Sequence, residues 1–196
     1  MDDRTRTLAT YVGDMHALEA HMLEAFESQL KLTEDTPDAH AVVRQLADSA
    51  RSHIAVLEGR IAALGHPEKS LTDNIKTAVA ELFGLAAGAI DAVRPQQVSK
   101  ALRDSYTATN HAVIAYIMLQ TTGVALNDPE TAGLAERHLA DCVANAQAIA
   151  TVMPALVVKD LSDDVGGVAA GTVDRVVANQ KLSHLYRGLD SASAGL

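Results

Sequence analysis

Each of the chain's five prolines falls where a helix would have to begin or end. Thr36-Pro37-Asp38 reads as an N-cap, a first helical residue and an acid in the first turn. Asp128-Pro129-Glu130 repeats that pattern. Pro67 follows Gly65, which suits the position just past a helix end, Pro95 opens a long segment, and Pro154 closes another. Between these marks, apolar residues recur at steps of three and four. The punctuation predicts four long helices near residues 5–31, 37–64, 95–122 and 129–153.

Composition agrees. Of the 196 residues, 48% are apolar but only 3% are aromatic. Alanine and leucine therefore build the core, which favours close-packed helices over a sheet. The length suits one domain with a good core. A net charge of −9 argues against a nucleic-acid or anionic-membrane surface, because both need basic patches. Cys142 is the single cysteine, so no internal disulfide forms. Residues 1–7 are polar and no signal-type apolar core follows them. No apolar run is expected to reach spanning length. A soluble cytoplasmic protein is the default.

The first helix carries the most informative pattern. Leu8, Tyr11, Val12, Met15, Leu18, Met22, Leu23, Phe26 and Leu30 form one stripe, and Glu19 stands in the middle of it. A carboxylate facing a core is costly unless something pairs with it. Tyr116 or His53 is the expected partner. His53 is read at the edge of the second stripe, which runs through Val43, Leu46, Ala50, Leu57 and Ile61. On the third helix, Ser105, Thr109 and Ala112 make the centre of the inner face small or hydroxylic, while His111 points away. On the fourth, Cys142 faces inward, Asp141 falls well off the face, and His138 lies at its margin.

The segment between Ser70 and Val93 is apolar and includes Gly84 and Gly88. It reads as one or two short helices connecting the long pairs, with Thr72 as the cap. Residues 157–196 read as a C-terminal tail outside the bundle of residues 1–156. Gly166-Gly167 and Gly171 interrupt it, and Val173 to Leu185 allow one short amphipathic helix. The tail is a candidate protein-binding segment.

Four long helices with a helical connection between the second and third fit an all-α, ferritin-like four-helix bundle. From about Tyr11 to Met153 the chain resembles the YciF/YciE-type family of ferritin-like bacterial proteins. MHALEAHMLEAF around Glu19 looks like the family's first-helix segment, in which a glutamate contributes to a di-iron site. LEGRIAALG, residues 57–65, looks like the end of its second helix. TNHAVIAY, residues 109–116, looks like a third-helix segment that usually reads EHYEIAAY. LADCVANAQAI, residues 139–149, looks like a fourth-helix segment that usually carries a Glu-Glu pair. The resemblance implies a stress association and a paired, dimeric assembly.

The departures bear directly on chemistry. Thr109 and Ala112 stand where the family has two glutamates, and Asp141-Cys142 stands where it has the Glu-Glu pair. His53 is preceded three residues earlier by Ala50 rather than a glutamate. Only Glu19 carries over cleanly. Oxidase chemistry is therefore expected to be lost, with no catalytic residues and no cofactor. What remains is a non-catalytic scaffold that acts by binding a partner or itself, most simply as a homodimer. The alternative is a remodelled mononuclear site of Glu19, His53 and Cys142 holding one metal ion, iron or zinc. A third reading makes Cys142 a redox sensor, which requires a low thiol pKa and access to solvent.

Overall fold

A computed structural model describes residues 2–65 and 97–182. Those residues form helices α1 (Asp3–Leu32), α2 (Pro37–Ala63), α3 (Gln97–Ala125), α4 (Pro129–Val165) and α5 (Thr172–Leu182), with no strand among them. Local chemistry sets most of the ends. Asp2 caps α1 by accepting from the Thr5 amide. Asp128 caps α4 in the same way through the Thr131 amide, with Pro129 in the first turn. Thr36 occupies the N-cap of α2, but its side chain makes no capping hydrogen bond. Gly65 follows α2 and Gly166 follows α4, both in the left-handed conformation that glycine adopts without strain.

Cross-helix hydrogen bonds give the helix directions. Arg51 of α2 reaches Glu27 of α1, and His53 reaches Glu19, so α1 and α2 are antiparallel. Gln29 bonds to Ala101 and Ser105, so the end of α1 lies beside the start of α3. Gln45 pairs with Asn145, and Arg60 with Thr131, so α4 runs against α2. The end of α2 and the start of α3 therefore lie at opposite ends of the bundle, which is the ferritin-like arrangement. The expected helical connection, with Thr72, Gly84, Gly88, Pro67 and Pro95, lies outside the described residues.

One core runs through helices α1 to α4. It includes Val12, Met22, Phe26, Leu46, Leu57, Leu102, Leu119, Leu134 and Ile149. Two features fix how the helices meet at one end. A Cβ added to Gly123 would stand 2.6 Å from the Ala132 backbone nitrogen, so the α3–α4 hairpin needs glycine for that approach. Arg60, only 11% exposed, pairs with Asp128 and with Glu130, tying the end of α2 to the start of α4.

The fourth helix departs from expectation. It does not stop at Pro154 but continues to Val165, with Pro154 inside it. An internal proline forfeits the bond to the carbonyl four residues earlier. Leu156, 4% exposed, still joins the core beyond that point, and its burial offsets part of the loss. Residues 157–165, read as the start of the tail, thus continue the helix, and α5 packs back against it. α4 is also long and apolar enough to cross a membrane by length and composition, contrary to the expectation that no segment reaches that measure. It lays Leu134, Ala135, Cys142, Ile149 and Leu156 into the core, and a core helix meets the same measure.

Candidate functional site

A layer of polar side chains crosses the middle of this apolar core. Glu19 is 1% exposed, at the centre of the α1 stripe. Two donors converge on its Oε1: the Tyr116 hydroxyl at 2.7 Å and His53 Nδ1 at 2.8 Å. The two alternative partners are therefore present together. The other ring nitrogen of His53, Nε2, lies 3.2 Å from Asp141 Oδ2. Tyr116 spends its only proton on Glu19, so its oxygen accepts from His138 Nδ1 at 3.0 Å. The His138 ring stacks on His53 with centroids 3.9 Å apart, and Tyr116 meets both rings edge-on. A chain of hydrogen bonds thus runs from α4 through α3 and α1 to α2, and back to α4.

Burial and charge set the protonation states. Burial pushes the His53 imidazole down, but its hydrogen bond to Glu19, the Glu19 charge and Asp141 outweigh burial, and its pKa ends above the usual value. His138 goes the other way. Burial first, then the neighbouring charges of His53 and Arg137, push it down to about 3. Of the two stacked rings, His53 is therefore the one that takes up a proton more readily. Burial, reinforced by Glu19, pushes the Tyr116 hydroxyl far up, which keeps it a donor. Burial and the Glu19 and Asp141 charges also push the Cys142 thiol far up. With 2% exposure and a raised thiol pKa, Cys142 lacks both requirements of a redox sensor.

The positions read from sequence divide clearly. Thr109, Ala112 and Cys142 face inward as expected, at 1%, 0% and 2% exposure. His53 is not at an edge but fully inside, and His138 is buried rather than marginal. Asp141 is 59% exposed, in keeping with its position off the face, yet its carboxylate reaches in to His53. His111 is exposed. Glu19, His53 and Cys142 come together, each with one potential ligand atom within 4.8 Å of the other two.

A pair of irons, as the resembled family would imply, does not fit this layer. Such a pair needs about six side-chain ligands, mostly carboxylates. Here the buried carboxylate is Glu19, and its Oε1 already receives two donors. The Thr109 hydroxyl is buried with no hydrogen-bond partner, and a hydroxyl with a methyl at Ala112 cannot bridge two cations.

Comparison with known proteins agrees with the fold. A crystal structure of a protein from Xanthomonas campestris superposes with a TM-score of 0.66 at 15% identity, covering 83% of this chain and 99% of that one. No curated protein matches. The model of the family described as "Domain of unknown function (DUF892)" matches residues 5–162, the whole bundle through most of α4, and the chain belongs to that family.

Proposed function

We propose that this is a YciF-like, non-catalytic member of the ferritin-like proteins, which has exchanged a di-iron centre for a hydrogen-bonded polar layer and works as a binding scaffold. The observation that carries this reading is the use of Glu19: its Oε1 accepts from Tyr116 and His53, while Thr109, Ala112 and Cys142 occupy the other inward positions. Two adjacent ferrous ions bring four positive charges, and one buried carboxylate cannot balance them. Aerobic reconstitution with excess ferrous salt should leave fewer than two irons per chain and no rapid ferrous oxidation. Two tightly held irons, lost on Glu19→Ala, would overturn the proposal.

The scaffold's own surface supports self-association as its binding mode. Ile114, Ile117, Met118 and Val124 are exposed along one side of α3, at 59%, 41%, 53% and 65%. Their spacing of three, four and ten makes one stripe. From Ala112 to Asn127 the helix and its turn contain no acid, lysine, arginine or histidine. Two copies of a chain with net charge −9 repel elsewhere, so an uncharged apolar stripe is the face on which a second copy can pair by two-fold symmetry. Sedimentation should show a dimer that Met118→Glu converts to monomer. A wild-type monomer at high concentration would exclude this face.

A further inference from the structure

We propose that the layer between α1, α2 and α4 is a mononuclear zinc site in which Glu19, His53 and Cys142 are the ligands and Asp141 orients His53. This goes beyond the scaffold reading and does not depend on it.

The donor set is the first argument. A thiolate, an imidazole and a carboxylate together select zinc or another borderline divalent ion over a hard, oxygen-preferring one. Charge is the second. One dication with the Glu19 carboxylate, a Cys142 thiolate and a neutral His53 sums to zero, which a buried site tolerates. The same residues fail for two irons on that count. Geometry is the third. The three potential ligand atoms lie within 4.8 Å of one another, on three different helices. Ligand bonds of about 2.0–2.3 Å bring atoms on one ion to within about 4 Å of each other. The widest pair therefore needs to close by about 1 Å at most, while His53 Nδ1 and Glu19 Oε1, now 2.8 Å apart, part slightly to admit the ion.

The hydrogen bond from His53 Nε2 to Asp141 Oδ2 is the independent observation. Metal-binding histidines almost always donate their second ring nitrogen to a carboxylate or carbonyl, which fixes the tautomer and aims the other nitrogen at the metal. Here that other nitrogen, Nδ1, faces Glu19. It explains why an exposed aspartate off the inner face reaches into the core. On binding, the ion takes the place of the proton between His53 Nδ1 and Glu19. It also displaces the Cys142 thiol proton, and both protons leave to solvent. Three protein ligands leave the fourth tetrahedral position to a water.

The test uses the full chain, stripped of metal with a chelator and titrated with zinc and, as a spectroscopic probe, cobalt(II). One ion per chain should bind, and the cobalt form should show thiolate-to-metal charge-transfer absorption. Cys142→Ala should abolish that absorption and weaken zinc binding by more than any change outside the ligand set. Asp141→Asn alters an exposed side chain and leaves the core packed, so it tests the site even if Cys142→Ala folds poorly. It should weaken zinc binding about 10–100-fold. Cobalt bound without the thiolate band, zinc affinity unchanged in both variants, or no zinc binding at all would overturn the site. None of these outcomes bears on iron loading, which tests the scaffold reading separately.

Discussion

Glu19→Ala should cost the metal-free fold about 3–5 kcal/mol, the range found when one partner of a buried ionic pair is removed. The loss has two parts. His53 keeps its place 2% exposed between α1 and α4, but the charge and the hydrogen bond that hold its proton are gone. Tyr116 loses the acceptor for its hydroxyl. Tyr116→Phe alone takes one of the two donors from Glu19 and the acceptor from His138 Nδ1, and should cost about 1–3 kcal/mol. The two changes touch one oxygen atom, so the double variant should lose less than the sum of the singles. Urea unfolding of the four proteins measures this cycle. A Glu19→Ala variant within 1 kcal/mol of wild type, or strict additivity, would show that the carboxylate is not held as described.

That cycle bears on a group that was legible in the sequence. A glutamate inside an otherwise apolar stripe has few benign explanations, and each of the two alternative partners read for it is in place. The helices were legible for the same kind of reason: period and a first-turn proline agree at the starts of α2 and α4. Pro154 misled because a proline removes one hydrogen bond but does not forbid a helix whose next turn is buried. The histidines were harder. A stripe drawn from apolar residues alone places His53 and His138 at its edges, because the polar layer itself is missing from the pattern that defines the face. Burial inside a four-helix core is wider than such a stripe. Asp141 was readable only as exposed, since the hydrogen bond that makes it matter crosses between helices. No one-helix pattern contains that contact.

The layer's protonation also constrains the whole molecule. Around His53 stand Glu19 on α1, Tyr116 on α3, and His138, Asp141 and Cys142 on α4. Glu19 at Nδ1 and Asp141 at Nε2 favour a proton on His53, while burial first, and then the His53 charge, disfavours one on His138. The pair is thus asymmetric by position, although both rings are buried to a similar degree.

Acid should therefore unfold the metal-free protein through His138. Its pKa is about 6.5 in an unfolded chain and about 3 in the fold, so between those values the unfolded state binds the extra proton. Stability contributed by the neutral ring is complete above about pH 6.5. It falls as the pH drops toward 3 and does not fall further below that. At about 1.4 kcal/mol per pH unit, the window amounts to a few kcal/mol, roughly 5 at most. His53 acts in the opposite sense. Its pKa is raised in the fold, so its contribution is full below the usual histidine value and is lost as the pH climbs through the raised one. Stability should peak near neutrality, with His138 shaping the acid side and His53 the alkaline side. His138→Gln removes the acid-side group while leaving an amide that can donate to Tyr116. Unfolding free energy measured from pH 7 to pH 3 should then lose about one proton's worth of slope relative to wild type. Equal slopes in the two proteins would mean that His138 is not the group held neutral by the bundle.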